Sequence, residues 1–375
     1  MHRIVGGVLV LLLATPALWA EDKPKDKPAT PAEQYQALLK EYQEAMTAYQ
    51  GALKDAKTPE EQQKIIAEKY PKQKFAPRFL ELAEKNPKDP VALDALLWVL
   101  SDDFGPPGGK DTKAKAADTL VRDHVESEKL GPLCQSLANG FEKRNPELLR
   151  AILDKNPHKS VQADASLALA QSLSLRTYVV KQLAKEPDFA KQIENFVGKE
   201  TRDELKKADL AKMESESEKA FLVFADKYAA DLKEERLTSV CQQLSFTGGK
   251  GGEALLRTLL EKDTRHEVQG VACLGLGQML KLRADGMSDE EAKAAEKLRG
   301  ESEKLFERAV DKFADVKLPF RGSVGDKAKN ELFDLRNLSV GKTAPEVEGE
   351  DQDAKKFKLA DYKGKVVLLD FWSEF

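Results

Sequence analysis

Three cysteines, four histidines and one glycine-lysine run are the residues whose types invite chemistry in this 375-residue chain. Cys134, Cys241 and Cys273 are odd in number and far apart, and none belongs to a C-x-x-C pair. In an exported protein two of them could be bridged, and the sequence does not say which two. Each lies in an apolar helical pattern, where a cysteine ordinarily serves as a small buried hydrophobe. His2, His124, His158 and His266 do not join them at metal-ligand spacing, so neither a metal nor any other cofactor is expected. Gly248-Gly249-Lys250-Gly251-Gly252 resembles a phosphate loop only superficially. That loop needs G-x-x-x-x-G-K-[ST] behind a buried strand, whereas here Gly251 follows the lysine and helical patterns flank the run, which reads as a linker. Carboxylates abound, but nothing pairs two of them as acid and base. With no serine-elbow or zincin motif, hydrolysis has no candidate residues.

The C-terminal residues carry a more specific signal. Lys365-Val366-Val367-Leu368-Leu369-Asp370 is a short apolar run behind a Gly364 turn, the pattern of a buried central strand. Val340-Gly341-Lys342-Thr343-Ala344-Pro345 and Phe357-Lys358-Leu359-Ala360-Asp361-Tyr362-Lys363-Gly364 precede it, and Phe371-Trp372-Ser373-Glu374-Phe375 follows. As a set these resemble the opening of the thioredoxin-like redoxins, a superfamily of envelope thiol–disulfide oxidoreductases and thiol-specific antioxidants. The resemblance covers residues 338–375, about a tenth of the chain. It implies a W-C-x-x-C motif directly after the strand, with Phe375 in the place of the aromatic residue before the first cysteine. It also implies that Asp370 is a buried acid beneath the disulfide, assisting deprotonation of the second cysteine, and that Trp372 and Phe375 flank the active-site turn. The chemistry is consistent, because the thiolate is the nucleophile and a buried carboxylate has the raised pKa a proton acceptor needs. No C-x-x-C follows within the chain, and the missing strands and helices leave residues 340–375 expected to be poorly packed or to borrow contacts from the helical body.

The rest of the chain must position this segment. At 33% charged and 41% hydrophobic residues the composition is globular. Sixty basic against sixty-four acidic groups, a net charge of −4, supply no basic field for nucleic acid. Arg3, an apolar stretch over 4–19 and Ala17-Leu18-Trp19-Ala20 ahead of Glu21-Asp22-Lys23 form a secretory signal pattern. Export to the periplasm or cell envelope is expected, with cleavage after Ala20; a retained anchor is the alternative, although the stretch falls short of the ~20 residues of a spanning helix. A flexible spacer fills residues 21–32. From there to 337 the periodicity is helical. Tyr35, Leu38, Tyr42, Met46, Tyr49 and Leu53 make an aromatic stripe that either packs on the next helix or grips a partner. Thr58-Pro59-Glu60-Glu61 and Ser288-Asp289-Glu290-Glu291 read as capping boxes. Gly105-Pro106-Pro107-Gly108-Gly109 reads as a loop.

An internal repeat organises the helical region. Residues 148–173 align without gaps on 255–280, with 12 identities in 26 positions at an offset of 107. The same offset carries Leu130 onto Leu237 and Cys134-Gln135 onto Cys241-Gln242, so the duplicated blocks span about 130–173 and 237–280. Small residues, Ala165, Ala168 and Ala170 in one copy and Ala272, Gly275 and Gly277 in the other, allow close helix approach. The shared Arg150/Arg257 and Gln171/Gln278 either line a groove or hydrogen-bond between repeats. The expected fold is therefore mainly α: a TPR/HEAT-like α-solenoid body over 33–337, then the first strands of a thioredoxin-like α/β domain over 338–375.

Two functions follow from this reading. In the first, the intact product is an exported redoxin that acts on protein thiols and disulfides or on peroxide with a thiol reductant, and the present chain, without its nucleophile, is inactive. In the second, the helices are a non-enzymatic scaffold for a protein partner. The residue due after Phe375 is the attacking sulfur, and a UGA selenocysteine codon is read as a stop by standard translation. A selenol is ionised at neutral pH where a thiol of pKa about 8.5 is mostly protonated. One expectation is therefore a UGA codon at position 376, with an open frame encoding x-x-Cys beyond it and a selenocysteine insertion hairpin nearby; a cysteine codon mutated to UGA, a frameshift or a deliberate boundary at this point are the alternatives. Sequencing the locus checks this, and UAA or UAG at that codon rules it out.

Overall fold

A computed structural model of the chain describes residues 29–101, 110–141, 144–186, 188–247, 249–319, 322–339, 342–350 and 353–370. The expected signal, most of the spacer, the 105–109 loop, and Phe371, Trp372 and Phe375 lie outside the described residues. Among those described, the protein is mainly α, with fifteen α-helices and one two-stranded hairpin.

Local chemistry sets the helix ends. Thr30 and Glu33 form a capping box at the start of α1 (Pro31–Asp55), and Asp89 caps α4 (Pro90–Leu100) by accepting from the Val91 N–H at 2.9 Å. At α2 (Pro59–Lys69) only half of the expected box forms. The Thr58 hydroxyl accepts from the Glu61 N–H, but the Glu61 carboxylate reaches the N–H of Lys57 at 2.8 Å rather than that of Thr58. The tyrosines of α1 are spent on packing. Tyr35 meets Phe79 of α3 (Lys72–Lys85) edge-on at 5.5 Å, Tyr42 meets Phe75 and Trp98, and Tyr49 meets Tyr70.

Helix α5 (Lys110–Asp123) leads to two sets of three helices. The first comprises α6 (Gly131–Ala138), α7 (Asn145–Lys155) and α8 (Lys159–Lys185). Helices α9 (Phe189–Lys206) and α10 (Leu210–Lys227) follow, α9 being broken at Gly198, where φ is 78°. The second set is α11 (Glu234–Thr247), α12 (Gly249–Lys262) and α13 (His266–Asp285), after which α14 (Ala292–Phe313) and α15 (Val324–Asn337) complete the body. Helix α8 contributes to three apolar cores. Val161, Ala165 and Ala168 join the core of α1–α7, Ala163, Leu167 and Ala170 join that of α10–α15, and Val179 and Val180 join a small one with α9.

Close approach on α13 depends on absent side chains. A Cβ on Gly275 would lie 2.9 Å from the Cys241 carbonyl of α11, and one on Gly277 would lie 2.6 Å from the fully buried Phe306 ring of α14. The glutamines shared by the repeat both link outward. Gln171 donates to Gln243 of α11 at 3.1 Å, and Gln278 donates to Glu331 of α15 at 2.9 Å.

The turn before the last helix of each set is built alike from different residues. The side chain of Asn156, 1% exposed, donates to the carbonyls of Val125 (2.7 Å) and Ser127 (2.9 Å) while its oxygen accepts from the His158 N–H (2.9 Å). At the 107-residue counterparts, Asp263 accepts from the Arg265 N–H at 2.9 Å in the same Asx turn. A carboxylate has no donor, so the Arg265 guanidinium supplies it, donating to the carbonyls of Leu232 (2.8 Å) and Ala229 (3.0 Å). Leu232 is the counterpart of Val125. Burial alone would raise the Asp263 pKa, but the Arg265 hydrogen bonds hold it below the usual carboxylate range.

This exchange is testable. Asn156→Asp strands two carbonyls and is expected to cost about 2–3 kcal/mol in urea unfolding. Adding His158→Arg should recover at least about half of that loss, because the guanidinium restores the donors. A double variant no more stable than the single one would show that the two turns are not equivalent.

Candidate functional site

The C-terminal segment, where the sequence places its candidate residues, folds on itself. Strands β1 (Glu348–Glu350) and β2 (Lys356–Lys358) pair antiparallel, with Gly349 opposite Phe357. The Leu359 N–H donates to the Val347 carbonyl at 2.8 Å, and a 3-10 turn over Leu359–Tyr362 follows. The Asp361 carboxylate accepts from the Lys358 N–H at 2.9 Å, and Glu346 accepts from the Ala360 N–H at 3.0 Å. Gly364 turns the chain at φ 83°, where a side chain would be strained.

Beyond Gly364 the structure departs from the expected buried strand. Residues 366–370 carry no strand pairing, and all of them are exposed, with Val366 and Leu368 almost fully so. Asp370, expected beneath a disulfide, is exposed as well. The reason is physical: a strand is buried by its neighbours, and β1 and β2 pair only with each other. Trp372 and Phe375 lie outside the described residues, so of the three site residues the structure places Asp370 alone.

The cysteines sit far from this segment in kind as well as in sequence. Cys134 on α6, Cys241 on α11 and Cys273 on α13 are free thiols at 0% exposure. Burial raises the pKa of all three, to about 12 for Cys241 and Cys273, and nearby Asp164 raises that of Cys134 further. The Cys273 thiol donates to the Leu305 carbonyl at 3.2 Å. Each is protonated at neutral pH and shielded, which is the opposite of a reactive thiol. Among the described residues no group of His, Cys, Asp and Glu is arranged to hold a metal, and no helix is long and apolar enough to cross a membrane.

The glycine-lysine run is not the linker its composition suggests. Gly249 opens α12 at φ 52°, and Gly251 lets that helix lie on α10, since a Cβ there would be 2.6 Å from the Phe221 ring and 3.1 Å from the Ser217 carbonyl. Beside this contact a cavity of about 130 Å³ opens between α8, α10 and the start of α12. Its polar residues Lys181, Glu214 and Ser217 carry no sequence signature, being drawn from two helices whose patterns are those of ordinary amphipathic segments. Only Lys250, inside the glycine run, stood out in the sequence.

No family model, no curated protein and no solved structure matches this chain.

The burial of the thiols has a direct chemical readout. With an aromatic disulfide reagent, the native protein is expected to show no thiol reaction on the minute scale, and all three cysteines should react once urea unfolds it. One thiol reacting rapidly in the native state would contradict the packing of its helix.

Proposed function

We propose that this chain joins a TPR/HEAT-like α-solenoid body, built on the 107-residue duplication, to the opening of a thioredoxin-like domain, and that the protein is an exported thiol–disulfide oxidoreductase or thiol peroxidase of the periplasm or cell envelope. The observation that carries this reading is the ordered set Ala344-Pro345, Tyr362-Lys363-Gly364-Lys365 and Asp370-Phe371-Trp372. The structure supports it in two ways. A hairpin and a glycine turn deliver the chain into the run Val366-Val367-Leu368-Leu369, and that run is 104, 41, 92 and 49% exposed in sequence order. Four consecutive apolar residues left in solvent are what a central strand without its neighbours would look like.

In this reading the attacking group is the thiolate that the W-C-x-x-C motif of the redoxins places directly after the strand. It attacks one sulfur of a substrate disulfide, forms a mixed bond and expels the other sulfur as a thiolate. A second cysteine two residues further on then attacks the mixed bond and releases the reduced substrate. Asp370, once covered by the sheet, accepts the proton of that second thiol. The buried cysteines of the helical body take no part.

A second reading, a protein-binding scaffold without redox chemistry, is favoured by one observation: every thiol within the 375 residues is buried and protonated.

Insulin reduction with a dithiol reductant, together with peroxide consumption, separates the two. The 375-residue chain should show no turnover in either assay. The product of the open frame, with cysteine encoded at position 376, should be active in at least one. In that product Asp370→Asn is expected to slow turnover by on the order of tenfold, in the range of lost proton-transfer assistance. An extended product inactive in both assays would leave the scaffold as the function.

A further inference from the structure

The cavity between α8, α10 and α12 contains hydrogen-bond donors that the helical packing does not consume. Ser217 of α10 is 4% exposed and lines this cavity, and its hydroxyl has no hydrogen-bond partner among the described residues. A polar group buried to that degree is normally paired, so one left open toward a cavity marks a place where something else can pair it.

The charges around it are unequal. Lys181 of α8 and Lys250 of α12 both reach the Glu214 carboxylate of α10. The hydrogen bond from Lys181 holds Glu214 below the usual carboxylate range despite partial burial. Lys181 is the tight partner, while Lys250 stands 3.6 Å away with its side chain 66% exposed. A long, exposed pair of that kind contributes little and is readily exchanged. Gly249 and Gly251 bring the first turn of α12 to the cavity wall, adding the free N–H groups and partial positive charge of a helix N-terminus. Two ammonium groups and this partial charge face one carboxylate, so the cavity is short of one negative charge. Its rim is aromatic: Tyr178 is 44% and Phe246 70% exposed.

We propose that this cavity binds a small oxyanion, a phosphate or a carboxylate, carried on an apolar group that lies between Phe246 and Tyr178. Lys250, released from Glu214, and the Ser217 hydroxyl are the anion's donors, with the N–H groups of the first turn of α12 completing the set. Lys181 keeps Glu214 neutralised while the anion is bound. A cation is disfavoured by the two lysines. A nucleoside triphosphate does not fit a space of about 130 Å³. The site owes nothing to the redox reading and stands or falls separately from it.

Calorimetric titration of the full chain with phenyl phosphate, benzoate and inorganic phosphate tests the proposal. Phenyl phosphate or benzoate should saturate with a Kd of about 1 mM or tighter. The tighter of the two identifies the anionic group, and inorganic phosphate should bind at least about tenfold more weakly for want of the apolar contact. Lys250→Ala and Ser217→Ala should each weaken binding about five- to tenfold, in line with the loss of one hydrogen bond to a charged group. Phe246→Ala should bring the aromatic ligand down to the level of inorganic phosphate. All three variants should keep the circular dichroism and urea midpoint of the parent, Lys250 and Phe246 because they are exposed and Ser217 because its hydroxyl is unpaired. No saturation below about 10 mM for any ligand, or binding unchanged in Lys250→Ala and Ser217→Ala, would overturn the proposal.

Discussion

The helical body depends on α8 being buried along most of its length. Val161, Ala165, Ala168, Leu169 and Leu173 face the core behind it, Ala163, Leu167 and Ala170 face the core ahead, and Val179 and Val180 close the pocket over α9. A helix with partners on several sides cannot show a single apolar stripe. It must be slender instead, because interaxial distance is set by the side chains at the contact. Alanine and serine supply this, with Ala163, Ala165, Ala168, Ala170, Ser166 and Ser172 all buried. The hydroxyl of Ser172 has no partner among the described residues, so slenderness here carries an energetic cost.

The same constraint governs α13, where it is met with glycine. Gly275 brings α13 onto the Cys241 carbonyl and Gly277 onto the Phe306 ring, whereas the aligned positions in the first block are Ala168 and Ala170. Without the methyl, the Phe306 ring occupies the space that a Cβ at position 277 would need. The two turns built on Asn156 and on Asp263 with Arg265 show a similar trade. The carbonyls of Val125 and of its counterpart Leu232 must both be satisfied, and the donor can be a side-chain amide or a guanidinium anchored by a carboxylate. What is common to the two blocks is the backbone requirement; the residues that meet it have diverged.

Redox chemistry and helical packing make opposite demands on a thiol. Packing buries Cys134, Cys241 and Cys273 and keeps them protonated, while attack on a disulfide needs an accessible thiolate. The hairpin of β1 and β2 satisfies its own backbone, and the apolar run after Gly364 lies apart from the helical cores.

Much of the helical architecture was legible in the residues, because helices are closed by hydrogen bonds four residues apart and are started by caps three residues long. Thr58 and Ser288 marked helix starts, the tyrosine stripe of α1 marked a packed face, and the 107-residue offset related α6–α8 to α11–α13. Tertiary structure decided what depends on distant partners. It made Gly249–Lys262 a helix resting on Phe221 rather than a linker, and it set Ser217, Glu214, Lys181 and Lys250 around one cavity from three helices. It also left Asp370 in solvent, because burial of a strand is a property of the sheet around it and not of its own residues.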